Sequence, residues 1–222
     1  MVKSEKKEIG FSSYPLFATA ITGTALLVFL VPSLSCCLIY DRVKIAQGEV
    51  WRLFTGNLVH FSSSHLFFNL LVFGVVGWAI SNRGYPGFRV FCVLSAGLIG
   101  TTLYALRPDL AQYGGLSGVA CGAVVYLALY GLAETGAWKI LCAGALLLTA
   151  CKILLEYRLG HFLFANSTHP AFVPVPLSHA VGSLTAVMVF CLLKGGRRVT
   201  THNCYACCAG GTRTMKPREE ER

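Results

Sequence analysis

The chain has 222 residues, of which 55% are hydrophobic and only 13% charged, and its mean hydropathy is +0.60. Soluble domains run at about 45–50% apolar and about 25% charged, so the composition excludes an ordinary soluble domain with a large core and points to a polytopic membrane protein. The net charge of +9 is accounted for by membrane topology and anionic lipid rather than by a nucleic-acid partner.

After a short segment, 1–16, the apolar residues gather into six runs, each long enough or nearly so to cross a bilayer, which takes about 20 residues per helix. The first, Phe17 to Ile39, is too long and too poor in A-x-A character for a cleaved signal peptide, and a retained helix is expected. Then come His65 to Ile80, Phe88 to Leu106, Ser117 to Ala133, Trp138 to Leu155 and Val175 to Leu193. The second and fourth runs are short and start in polar, Ser-containing loops, as suits helices that begin below the surface beside a water-filled cavity. The expected fold is all-α: one six-helix membrane domain over 17–194, without linker or internal repeat, followed by a basic, Cys-containing tail, 195–222.

With six spans both termini share a side. That side holds thirteen of the nineteen Lys and Arg residues, which predicts both ends in the cytoplasm. Most of the ten cysteines are scattered in apolar runs, where Cys acts as a small hydrophobe. His202, Cys204, Cys207 and Cys208 form a short cluster that could bind a metal or carry an acyl chain. A disordered tail with free thiols is the plainer reading, and no metal or cofactor is expected. His161 and His169 read as solvated loop residues.

Polar groups at membrane depth are functional by default and face the bundle interior. His60, His65, Asn69, Ser117, Lys152, Glu156 and His179 are the ones the apolar runs do not excuse. His65 and Asn69 are four apart and share one helix face. Gly114, Gly115, Gly118 and Gly122 around Ser117, and Gly182 and Ala186 after His179, prepare the fourth and sixth helices for close approach. Both helices start from the outer side, so Ser117 and His179 enter the membrane from one face.

A serine needs a base to become a nucleophile, and His is suited to that role. His65, Asn69 and the Ser117 N–H are suitable donors for an oxyanion. Taken alone, Ser117 is as well explained as a packing residue, His179 as a core histidine and Asn69 as an interhelical hydrogen bond. There is no HExxH and no aspartate pair in the spans, so serine chemistry is what remains if this is a protease.

The segments WRLFTGNLVHFSSSHLFFNLLVFG, GLSG and SHAVGSLTA resemble, in that order, the first loop and second helix, the GxSG motif and the sixth-helix histidine of the rhomboid intramembrane serine proteases. The likeness runs from about Gln47 to Leu193. It implies Ser117 as nucleophile, His179 as general base and His65 and Asn69 as oxyanion donors. It gives His60 a structural or water-holding role and makes Arg52 a brace for its loop. Ser62, Ser63 and Ser64 are expected along a water route.

Lys152 and Glu156 read as a structural ion pair near the outer interface or an anchor for the loop that follows, ahead of a grip on the basic end of a substrate. The run CKILLEYRLGHF, with VPVPLSHAVG after it, resembles the rhombosortase branch. That implies a bacterial inner membrane and membrane-anchored substrates ending in a Gly-Gly-type sorting tail. One departure is Cys121, where many rhomboids carry an aromatic that stacks on the histidine; His179 must then be positioned by helix packing or another ring. The rival expectations are a non-catalytic rhomboid-like protein that binds transmembrane clients, and a transporter, for which the repeated halves are missing.

Overall fold

The computed structural model describes residues 16–160 and 175–208, the stretch 195–208 as backbone only. The tail cluster His202, Cys204, Cys207 and Cys208, as side chains, and His161 and His169 lie outside the described residues, as do the segment 1–15 and residues 209–222.

The first apolar run is not one helix. α1 (Leu16–Leu30) stops at Val31, and α2 (Pro32–Leu38) leaves it at 111°. Pro32 is the cause. Its ring forbids the helical bond it would have to make and pushes Val31 into an extended conformation, φ −116° and ψ 95°. At the first position of a new helix the missing N–H has no partner to lose. The Ser35 hydroxyl donates to the Val28 carbonyl across the corner, at 2.7 Å.

The fold is mostly helical but not purely so. β1 (Tyr40–Asp41) pairs antiparallel with β2 (Gln112–Tyr113), Tyr40 opposite Tyr113. Backbone groups in a buried loop must find partners somewhere, and these two loops find them in each other. α3 (Arg42–Ala46), capped by the Asp41 carboxylate, and α4 (Arg52–Thr55) follow β1. A 3-10 turn, Gly56–Leu58, then leads to α5 (Ser63–Asn82) and α6 (Phe88–Leu106). After β2 come α7 (Ser117–Gly131), α8 (Ala137–Leu159) and α9 (Pro176–Cys208). α9 stays helical well past Leu193, where a disordered tail was expected, because nothing in the backbone from Lys194 to Cys208 breaks it: the stretch has two glycines and no proline.

Among the described residues, α5, α6, α8 and Pro176–Lys194 of α9 are each long and apolar enough to cross a membrane. The bent α1–α2 pair passes the same test together, and α7 is a shorter apolar helix. Phe67, Trp78, Val93, Leu148 and Leu184 are among the large apolar side chains left on the outside, as expected of a surface that meets lipid rather than water.

α7 is the hub. Ten of its fifteen residues are buried, and Tyr126 stacks on Phe91 at its lower half. α9 lies against it almost backbone to backbone. A methyl group on Gly182 would stand 2.0 Å from the Gly118 carbonyl oxygen, and one on Gly122 would stand 2.3 Å from the Gly182 carbonyl oxygen. Without a hydrophobic drive between helices in lipid, such close packing is what joins them. α4 seats on α6 in the same way, with the Leu53 carbonyl over Gly100 and the Phe54 ring over Gly97. α8 is peripheral. Its only buried residues are Cys142, Thr149 and Glu156, spaced by seven, so a single line of side chains meets the bundle.

Replacing Gly182 with Ala should therefore force α9 off α7. Overpacking of this kind costs about 1–3 kcal/mol, and thermal unfolding in detergent should show a lowered midpoint. Gly144→Ala on α8, where the added methyl meets nothing within 4 Å, should leave the midpoint unchanged or slightly raised. Equal behaviour of the two variants would contradict this packing.

Candidate active site

Ser117 is the first residue of α7, and His179 lies in the first turn of α9. The glycine contact fixes both helices at this end, and Ser117 Oγ lies 3.0 Å from His179 Nε2 although 62 residues separate them. His179 is buried and Ser117 half-buried. Both line a cavity of about 510 Å³ between α5, α7, α8 and α9, together with His65, Asn69, Lys152 and Glu156. The remaining wall is apolar apart from Thr149, with Phe68, Val72, Val124 and Leu155.

α5 starts where Ser62 accepts the His65 N–H at 3.2 Å, an N-cap that the run of serines makes possible. Ser62 is thus occupied in shaping the helix rather than in lining a water route alone, and its hydroxyl lies 3.3 Å from that of Ser64. Four residues apart, His65 and Asn69 both turn inward and are buried. Asn69 Nδ2 has no hydrogen-bond partner among the described residues. A buried donor facing a cavity in this state is available to an incoming oxygen. The His65 ring rests on Gly115. A methyl group there would stand 2.7 Å from His65 Cε1, and the φ of +141° is one that few other residues adopt.

His60 holds the approach to Ser117. Its Nδ1 lies 3.1 Å from the Leu58 carbonyl, and Nε2 accepts the Leu116 N–H at 3.4 Å. The first contact requires a proton on Nδ1 and the second a bare Nε2, so the pair defines a neutral ring. Arg52 is buried and held by hydrogen bonds from Nε and Nη1. Its Nη1 donates to the Cys36 and Ile39 carbonyls at 3.0 and 2.8 Å, and Nε to Glu49 at 2.6 Å. Arginine here closes the end of α2, where carbonyls lack helical partners.

Lys152 Nζ lies 2.7 Å from Glu156 Oε2. Reading the two as a pair at the outer interface missed where that carboxylate leads. Glu156 is 1% exposed, and its Oε2 is also 2.9 Å from His179 Nδ1. The fifth apolar run stops at Leu155, whereas α8 continues to Leu159 and carries Glu156 on its buried line. Glu156 stands out in the sequence as a deep polar residue, and its spacing of seven from Thr149 and fourteen from Cys142 is the signal that could have turned it toward the bundle. Cys121, at the position where the resemblance expects a stacking aromatic, is buried and lines the cavity. Among the described residues, no group of three His, Cys, Asp or Glu side chains is arranged to hold a metal ion.

Comparison with known proteins shows a family likeness. The model of the Rhomboid domain family matches residues 47–195. A curated relative, the rhomboid protease GlpG of Enterobacter sp. (strain 638), is 32% identical over 139 residues, covering 54% of this chain and 49% of the relative. The chain thus spans about half the length of that relative.

One consequence concerns pH. Burial lowers the His60 pKa from 6.5 to about 4. The unfolded chain takes up this proton near pH 6.5 while the folded protein resists until about pH 4. The contribution is therefore complete above 6.5 and is lost as the pH falls toward 4. Thermal midpoints measured across that window should fall, and His60→Gln, which does not titrate, should show a flatter decline. Parallel declines for the two proteins would contradict the assignment.

Proposed function

The chain belongs to the rhomboid family, and from that premise we propose that it is an intramembrane serine endopeptidase with Ser117 as nucleophile and His179 as general base. The observation that carries this reading is the 3.0 Å separation of Ser117 Oγ and His179 Nε2 at the mouth of a shared cavity. A transmembrane substrate, locally unwound, presents a peptide carbonyl to Ser117. Oγ forms a bond to the carbonyl carbon as its proton passes to Nε2. The charge that develops on the carbonyl oxygen meets Asn69 Nδ2, His65 and the N–H groups at the start of α7, which have no partner within the helix. The imidazolium then gives its proton to the leaving amine. Water takes the same path in reverse to release the acyl group.

The surroundings fit this chemistry. The apolar wall lowers the dielectric around a developing charge, which strengthens each donor. Arg52 and His60 hold the loop that roofs the site and touch neither reacting atom. The proposal extends to topology and place: six spans over 17–194, both termini cytoplasmic, in a bacterial inner membrane with its lipid as a partner. It extends also to substrate. The Lys152–Glu156 spacing and the VPVPLSHAVG approach favour the rhombosortase branch, hence proteins bearing a Gly-Gly motif, an apolar helix and a basic end.

The purified protein should cleave a fusion ending in such a tail, and Ser117→Ala should abolish cleavage and labelling by a fluorophosphonate. Cleavage by Ser117→Ala at the parental rate would reject the nucleophile, and a parent that binds the helix without cutting it would be a rhomboid-like client binder. Asn69→Ala should lower kcat by about 10²–10³-fold, the usual loss for one oxyanion donor; an unchanged kcat would remove Asn69 from that role.

A further inference from the structure

A serine and a histidine do not by themselves call for a carboxylate on α8, yet one reaches the far side of the imidazole. Glu156 Oε2 is 2.9 Å from His179 Nδ1 and 2.7 Å from Lys152 Nζ, and Nζ is itself 3.3 Å from Nδ1. The side chains of Glu156 and His179 are 1% and 2% exposed, while Lys152 keeps 22%. We propose that Glu156 is a positioning residue for His179, the third member of a serine–histidine–glutamate chain, and that Lys152 is its charge partner. This rests on Ser117 and His179 being nucleophile and base.

The argument is one of donors and acceptors. A carboxylate only accepts, so Nδ1 must donate to it, and a neutral imidazole then has its lone pair on Nε2, facing Ser117. A lysine ammonium only donates. Were Lys152 the sole neighbour of Nδ1, it would hold the opposite tautomer, with the proton on Nε2 and no capacity to take one from Ser117. Glu156 therefore decides between a ring that works as a base and one that does not.

When the Ser117 proton arrives at Nε2 the ring becomes a cation, and the carboxylate at 2.9 Å offsets that charge. Between turnovers Lys152, one helical turn before Glu156, neutralises the acid. An unpaired carboxylate at this depth would be costly. The same residue that ties α8 to the bundle thus also aims the base, which carries no aromatic partner from position 121.

A purely structural tie would lower stability or substrate affinity; a positioning role lowers the chemical step. Glu156→Gln keeps the shape and removes the charge. We expect kcat toward the Gly-Gly-tail fusion to fall by about 10⁴-fold, the loss seen when the acid of a serine triad is removed, with KM changed little. The rate of fluorophosphonate labelling at Ser117 should fall in step. Glu156→Asp, which keeps the charge but shortens the reach, should fall between parent and Gln, and it carries the test if the Gln variant does not fold.

Kinetics and labelling of Glu156→Gln near parental values would overturn the inference. So would a loss confined to KM or thermal midpoint with the labelling rate unchanged. In either case a dead Ser117→Ala leaves the protease reading standing. A parent that neither cleaves nor labels would take both down together.

Discussion

The structure depends on one contact: the backbone of α9 touching the backbone of α7 at Gly118, Gly122 and Gly182. No side chain fits between Gly182 and the Gly118 carbonyl, where even a methyl would come within 2.0 Å. Two helices held at that separation carry whatever sits in their first turns to a fixed distance. Ser117 precedes Gly118 by one residue, and His179 precedes Gly182 by three. The reacting distance is therefore set by the smallest residues in the seam and not by the reacting groups. In lipid, where apolar side chains gain nothing by leaving the solvent, close packing of this kind is the available adhesive.

The second constraint is charge. A membrane interior accepts ionised groups only as satisfied sets, and two such sets frame the site. Arg52 spends its donors on the carbonyls that end α2 and on Glu49, which anchors the loop carrying His60. Lys152 neutralises Glu156, which lies on the single buried line of α8. Both sets stabilise local structure, and the second also reaches the imidazole. α8, otherwise the most lipid-exposed helix of the bundle, is thereby linked to the chemistry through one side chain.

Much of this was legible in the sequence. The apolar runs marked the long helices, and glycine spacing marked the two that would touch. Ser117, His179, His65 and Asn69 stood out as polar groups with no apolar excuse. The rest stayed hidden for physical reasons. Hydropathy sums over a window, so it joined α1 and α2 across Pro32 although proline chemistry separates them. It stopped the fifth run at Leu155, one residue short of Glu156, so that acid stood out as a deep polar group but not as a member of the buried line of α8. A two-residue strand pair such as Tyr40–Asp41 with Gln112–Tyr113 has no period to detect. The contact of Glu156 with His179 depends on where one helix line falls against another, and no spacing along the chain encodes that.

The most direct test of the account is an experimental structure of the protein in lipid after reaction with a fluorophosphonate. The account predicts phosphorus bonded to Ser117 Oγ, a phosphoryl oxygen within hydrogen-bond reach of Asn69 Nδ2, and the His179 ring held between the adduct and Glu156 by an intact α7–α9 seam. An adduct elsewhere, or α7 and α9 separated by side chains with the imidazole out of reach of residue 117, would contradict it.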